Sequence, residues 1–277
     1  MSPRLRVLSA LADGAFHSGT ELAARFGVSR AAVWKHVQAL RRCGLAPESV
    51  RGRGYRLPFP LELLDESRIR AGLAPGTAAR LASLEVLWET DSTNQRLLDA
   101  AARDPRSGRA CLAEFQTAGR GRRGRTWEAP LGTGVALSVA WRYARPAAEL
   151  TPLGLAVGVA CARAVESLGV ARTQLKWPND VMAGGRKLAG ILLEMHGEMA
   201  GPCTVVAGVG LNVRFPPAIA GDFRQPWTDL ATATGAGPSR NAAASALLAA
   251  LLDGLAAFET DGFGAFAADW DRYDCTR

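Results

Sequence analysis

Lysine and asparagine are scarce in this 277-residue chain, and their positions carry information. Arginine outnumbers lysine thirty to three, and two of the three lysines, Lys176 and Lys187, fall in one short stretch. Three of the four asparagines, Asn94, Asn179 and Asn212, lie in similar polar stretches. Four such stretches hold groups able to do chemistry: Glu89-Thr-Asp-Ser-Thr-Asn-Gln95; Glu114-Phe-Gln-Thr-Ala-Gly-Arg-Gly-Arg-Arg-Gly-Arg-Thr-Trp127; Lys176-Trp-Pro-Asn-Asp180 running on to Gly185-Arg-Lys-Leu-Ala-Gly190; and Gly208-Val-Gly-Leu-Asn212. The second alternates glycine and arginine. Glycine lets a backbone come close to a ligand, and guanidinium forks pair bidentately with phosphate oxygens, so this loop suits a polyphosphate. It does not follow the G-x-x-x-x-G-K-[ST] pattern of a P-loop. Taken alone, it suits an RGG-like nucleic-acid tract or a solvated surface loop equally well.

These stretches need a scaffold. Segments 84–88, 110–115, 135–141, 188–194 and 203–209 read as strands, and 151–168 and 242–258 as helices with small-residue faces. A helix over 95–102 follows the first stretch, and Asn94 suits either its cap or a ligand. Mixed strands and helices predict an α/β or α+β layer.

The first 60 residues read differently. Leu5, Leu8 and Leu11 share one face of a helix over 4–12. Ser18-Gly-Thr-Glu21 fits a capping box, with a helix to Phe26, a turn at Gly27-Val28, and Ser29 capping a helix to Cys43 that Gly44 stops. Val33, Val37 and Leu40 form its buried face, which leaves Arg30, Ala31, Trp34 and Lys35 outward. Residues 49–57 read as a hairpin bearing Arg51, Arg53 and Arg56. Two helices joined by a turn, with a basic hairpin after them, describe a winged helix whose second helix reads DNA. Residues 1–60 hold ten Lys/Arg against three Asp/Glu, whereas 61–277 hold 23 of each. All the excess positive charge therefore lies in the small domain, as a nucleic-acid partner for that domain alone requires. The alternative is a helical protein–protein module with a solvated basic face. Pro58-Phe-Pro60 reads as a stiff linker.

No stretch reaches roughly 18 continuous apolar residues, and the apolar run 7–12 is too short for a signal peptide. The chain is expected to be cytoplasmic and to have no membrane partner. Five scattered cysteines without a C-x-x-C pair, and three dispersed histidines, predict reduced thiols and neither a disulfide framework nor a zinc site.

Ser92-Thr-Asn94, Gly119-Arg-Gly-Arg-Arg-Gly124, Lys176-Trp-Pro-Asn-Asp180 and Arg186-Lys-Leu-Ala-Gly190 resemble, in order and spacing, the motifs of biotin–protein ligases. With the winged helix, the chain resembles the bifunctional ligase/repressor branch of that family over roughly residues 5–273. The resemblance implies an α+β fold: a winged helix-turn-helix over 1–60, then a mixed-sheet catalytic domain of the biotin/lipoate-ligase type over 61–277. It implies that biotin and ATP form biotinyl-5′-AMP, that biotin then passes to a lysine of a carboxylase carrier domain, and that the protein represses transcription at operator DNA. By the same resemblance, Ser92, Thr93, Asn94, Gln116, Arg120, Gly121, Arg122, Lys187 and Gly190 bind biotin; Arg122, Arg123, Trp127, Asn179 and Asn212 bind ATP or the adenylate; and Lys187, Arg120 and Arg123 are catalytic. Ser29, Arg30, Ala31, Trp34, Lys35, Arg51 and Arg53 contact DNA, and Asp180 helps hold Mg²⁺. Trp127 and Trp177 are also candidates for the core, Trp177 more so. The loop 117–127 is expected to be mobile when empty and to order on the adenylate, which promotes homodimerisation. The family pattern includes a small β-barrel after the catalytic domain, and the sequence ends at Arg277, about where it would begin. The competing readings are a ligand-sensing repressor with little transferase activity, a lipoate-type ligase, and a nucleic-acid-binding protein using both basic segments.

Overall fold

The computed structural model of the chain describes residues 3–197, 200–216 and 225–276. Three helices, α1 (Pro3–Leu11), α2 (Gly19–Phe26) and α3 (Arg30–Arg41), precede a hairpin of β1 (Glu48–Val50) and β2 (Gly54–Arg56). Ser18 and Ser29 are the N-caps of α2 and α3, and Ser29 Oγ accepts from the Ala32 N–H at 3.1 Å. The Ser18 hydroxyl accepts from Thr20 N–H, not from Glu21, so the capping-box geometry is not realised. The third helix ends at Arg41, short of Cys43, because the chain turns through Gly44 at φ 79°. Leu8, Leu11, Leu22, Val33, Val37 and Leu40 are buried together. The wing also gains a third short partner, since His17 and Tyr55 exchange two backbone hydrogen bonds at 2.8 and 2.9 Å.

The remainder forms, in chain order, α4 (Glu66–Ala71), α5 (Pro75–Ala78), β3 (Ser83–Thr90), α6 (Thr93–Arg103), β4 (Arg109–Gln116), β5 (Gly134–Tyr143), α7 (Leu153–Ser167), β6 (Thr173–Lys176), β7 (Asp180–Ala183), β8 (Arg186–Gly197), β9 (Cys203–Asn212), α8 (Leu230–Thr234), α9 (Arg240–Asp261) and α10 (Ala267–Tyr273). Seven strands make one mixed sheet in the order β3-β4-β5-β9-β8-β7-β6, parallel at β3–β4 and antiparallel elsewhere. Side chains alternate across a strand, and that alternation divides the sheet into a core face and a site face. Val135, Leu137, Val139, Val205, Ala207 and Val209 join the main core with α7 and α9. Ala136, Ser138 and Ala140 of β5, with Val206, Gly208 and Gly210 of β9, take the opposite parity, where α6 packs.

The two core helices approach closely at small residues: a Cβ on Gly254 would lie 3.0 Å from the Ala160 Cβ. The stretches Ala147–Ser167 and Arg240–Tyr273 are long and apolar enough to cross a membrane by length and composition, although neither is a continuous apolar run. Both are mostly buried in the protein itself.

The winged helix is docked, not tethered. Leu131, from the loop before β5, is fully buried in the winged-helix core, and its N–H donates to the Cys43 carbonyl at 2.9 Å. Leu61 N–H donates to Ala12 O at 2.8 Å, and Phe59 packs on the same cluster, so Pro58-Phe-Pro60 is part of the contact and not a free spacer.

Candidate functional site

One cavity of about 1020 Å³ opens on the site face of the sheet. It is lined by all fourteen residues expected from sequence to meet biotin, nucleotide or metal: Ser92, Thr93, Asn94, Gln116, Arg120, Gly121, Arg122, Arg123, Trp127, Asn179, Asp180, Lys187, Gly190 and Asn212. Six cationic side chains line it (Arg120, Arg122, Arg123, Arg125, Lys176 and Lys187) against two carboxylates, Glu128 and Asp180. That balance suits an anionic ligand, since a cleft lined by one sign of charge focuses its field.

One end is a dense polar network at the start of α6. Thr93 N–H and Oγ approach Gln116 Oε1 at 2.8 and 3.2 Å, which leaves the Gln116 amide nitrogen as a donor. Ser92 stands at the helix N-cap, is 3% exposed, and makes no cap bond with its hydroxyl. Asn94 lines the cavity in the first turn of the helix and does not cap it, since Ser92 stands at the N-cap. Its Oδ1 accepts from Ser138 Oγ at 2.6 Å, and its Nδ2 donates to Glu194 Oε2 at 2.8 Å and Leu192 O at 3.3 Å. The amide is spent on the protein, directly beneath Gly208. Ser138 and Glu194 escaped sequence reading, because a lone hydroxyl or carboxylate in an apolar strand gives no motif.

The Gly/Arg loop is a small closed hairpin. Arg120 and Thr126 form a β-bridge, Gly121 N–H donates to Arg125 O at 2.7 Å, and Trp127 N–H to Gly119 O at 2.9 Å. Arg123 sits at the tip at φ 56°, a left-handed conformation uncommon for a residue with a Cβ. Arg122 and Arg123 are exposed over the cavity, whereas Arg120 is held back by Gln95 and Glu194. The loop ends by laying the Trp127 indole against β8 and β9: a Cβ on Gly210 would lie 2.2 Å from its Cε2, and one on Gly190 3.0 Å from its Cζ3.

The third motif is two hairpins. Lys176 ends β6, the Trp177–Pro178 peptide is cis, and Asp180 begins β7. Gly184 and Gly185, at φ 56° and 76°, make the two-residue turn to β8 that the twist of a hairpin favours. This returns Lys187 beside Asp180, and Lys187 Nζ lies 2.8 Å from Asp180 Oδ1 and 5.6 Å from the Trp127 ring centroid. Asp180 therefore orients the lysine. The described residues hold no cluster of three or more His, Cys, Asp or Glu, so among them Asp180 is the carboxylate beside Lys187 that would share Mg²⁺ with a nucleotide's phosphates.

Asn179 Nδ2 donates to Ile191 O and Asn212 Nδ2 to Thr228 O, both at 3.0 Å, so each keeps its Oδ1 as an acceptor. Trp177, a candidate for the core, is 60% exposed at the cavity rim, which corrects that reading. Phe215 and Trp227, paired at 5.0 Å between centroids, also line the cavity and lie outside every motif seen in the sequence.

On the winged helix, Arg30, Ala31, Trp34, Lys35, Arg51 and Arg53 are exposed, with Trp34 at 53%. Ser29 is engaged as the cap of α3. The wing arginines are not equivalent: Arg53 stacks on Phe16 at 4.0 Å, and Arg56 is held by two hydrogen bonds to Glu48.

Residues 87–212 match the biotin/lipoate A/B protein ligase family and residues 4–56 a helix-turn-helix domain. The bifunctional ligase/repressor BirA of Salmonella typhimurium is 42% identical over 98% of this chain and 82% of its own length. Its counterpart in Escherichia coli is 39% identical over the same shares. Among solved structures, the biotin protein ligase of Aquifex aeolicus in complex with biotin and ATP superposes with a TM-score of 0.57 at 28% identity, over 70% of this chain and 79% of that one. Cavity, motifs and winged helix together place this chain in the biotin–protein ligase family, among its bifunctional ligase/repressors.

Proposed function

We propose that the cavity joins biotin to AMP and passes the biotinyl group to a lysine of a carboxylase carrier domain. The observation that carries this is the meeting of Lys187, Arg122 and Arg123 with the Ser92–Thr93–Gln116 network inside one cavity. Biotin's ureido ring offers one acceptor oxygen and two N–H donors. Gln116 Nε2 and the hydroxyls of Ser92 and Thr93 supply the complementary groups. A carboxylate oxygen of biotin attacks the α-phosphorus of ATP and pyrophosphate leaves. The acceptor amine then attacks the acyl carbon, AMP leaves, and the amine's proton passes to solvent. No protein nucleophile takes part, so catalysis rests on placement and on charge at the reacting phosphate.

Lys187 follows that charge as a mobile ammonium, held ready by Asp180. Arg122 and Arg123 lie over the phosphates, the Trp127 indole covers the adenine, and the Oδ1 atoms of Asn179 and Asn212 accept from its amine. Arg120 acts as the anchor of the loop. The loop 117–127 orders further on the adenylate, since its packing on the protein rests on Trp127 and Arg120. Because one helix-turn-helix reads one half-site, operator binding calls for two copies, and the adenylate must favour the dimer for biotin to regulate it. Sedimentation with and without adenylate tests this; an unchanged monomer–dimer constant contradicts it.

The decisive assay follows labelled biotin, with ATP, onto a carrier domain. Lys187→Ala should lose about 100-fold or more in adenylate formation, the usual cost of removing one group that stabilises developing charge. Transfer at the wild-type rate would refute the role of Lys187, and competition by lipoate but not biotin would reassign the substrate.

A further inference from the structure

Glu194 lies on β8 outside the motif stretches and does not line the cavity, yet two parts of the site converge on it. Its Oε2 accepts from Asn94 Nδ2 and from Arg120 Nη2, both at 2.8 Å. Asn94 belongs to the first turn of α6, and Arg120 to the root of the Gly/Arg hairpin. The ion pair is partly shielded, at 35% side-chain exposure for Arg120 and 26% for Glu194, and a charge-assisted bond gains strength away from water. Arg120's other terminal nitrogen donates to Gln95 Oε1 at 2.9 Å, so its guanidinium is fixed at both Nη atoms. Its Nε is buried and finds no partner among the described residues.

We propose that Glu194 is a positioning residue that locks the biotin end of the cavity to the loop covering it. One carboxylate oxygen takes a neutral donor from the floor and a cationic donor from the cover. If the Glu194 carboxylate moves, floor and cover lose their partner together. A carboxylate is required because both neighbours donate: a glutamine keeps the shape, gives up the charge on the Arg120 bond, and turns an NH₂ toward donors when flipped. Lys187 is not touched, so the effect falls on binding and not on the chemical step.

This rests on the biotin reading of the cavity, and the test separates the two. Calorimetry on the full chain measures biotin with wild type, Glu194→Gln, Arg120→Gln and the double variant. Wild-type heat on biotin tests the functional reading alone. Glu194→Gln should then weaken biotin about tenfold, as expected for one charge-assisted hydrogen bond. The biotin KM should rise by the same factor, with kcat at saturating biotin within about twofold. The double variant should lose less than the two single losses combined, because both singles already remove the shared Arg120–Glu194 bond. Unchanged affinity in Glu194→Gln, or additive losses in the double variant, overturns the inference. If Glu194→Gln does not fold, Gln95→Ala carries the test: releasing Arg120's other hold must weaken biotin by a smaller factor, and no change overturns the proposal.

Discussion

Gly208 and Gly210 are where one methyl group separates the two halves of the cavity. A Cβ at Gly208 would lie 2.1 Å from Asn94 Oδ1, an atom fixed by a buried hydrogen bond; a Cβ at Gly210 would strike the Trp127 indole, which hangs from a loop and can swing. Gly208→Ala should therefore abolish biotin binding, whereas Gly210→Ala should raise the ATP KM about tenfold and leave biotin affinity within about twofold, since one decade corresponds to only about 1.4 kcal/mol. Titrations of each ligand against each variant read this directly, and equal losses for both ligands in Gly210→Ala would contradict the division. The scarcity of lysine and asparagine marked the stretches that line the cavity, and the family resemblance named the individual residues. What the sequence hid is direction: Arg120, Arg122 and Arg123 look alike in the string, but the first is engaged by Glu194, 74 residues downstream.

Elements hold the site through contacts that no local pattern announces. The N-terminus of α9 is pinned to the segment before α4: Glu62 accepts from Ser239 Oγ, Arg240 N–H and Asn241 Nδ2 at 2.7, 2.6 and 2.9 Å, and pairs with Arg68. Burial pushes the Glu62 carboxyl up, but these hydrogen bonds and the Arg68 charge outweigh it and hold it below its ordinary value of 4.5. A depressed folded-state pKa stabilises above the unfolded value, and that contribution is lost as pH falls through the folded value. Wild type should lose melting temperature below about pH 4.5 more steeply than Glu62→Gln, the two curves converging in acid; parallel curves would contradict this. Beside it, Arg240 and Glu114 pair at 2.9 Å with both side chains 5% exposed, and Arg240 also donates twice to Gly134 O at the start of β5. Removing one member of a buried pair strands the other, so Glu114→Ala should cost about 3–5 kcal/mol in urea unfolding. The long periodic elements were readable: α7, α9 and the strands β3, β4, β5, β8 and β9 lie close to their expected positions. The four-residue strands β6 and β7 and the short helices α4, α5, α8 and α10 were not, since so few residues show no period. Arg240 was invisible because its carboxylate partner is 126 residues away.

At the scale of the whole molecule, charge asymmetry in the sequence separates a basic small unit from a neutral large one, but does not say how the two meet. Leu131 joins the winged-helix core four residues after Trp127, so the segment that closes the cavity is continuous with the one that carries the winged helix. Binding to DNA should follow the salt law of phosphate contacts: Arg51→Ala should lower the log–log salt slope by about one, and Arg56→Ala, already engaged by Glu48, by less. Four of the five cysteines are buried, and burial pushes the Cys111 and Cys161 thiols up to about 12, so a thiol reagent should titrate Cys275 alone in the native chain and all five after unfolding. Fast reaction of a second thiol would mean the core opens readily. Every role proposed for the cavity converges on one event, the formation of an acyl phosphate between biotin and AMP beside Lys187. Pyrophosphate release from ATP on adding biotin, measured for wild type and Lys187→Ala, tests it most directly. Wild type should give a biotin-dependent burst that the variant loses; biotin-independent release, or a burst that survives in Lys187→Ala, would contradict adenylate formation at this site.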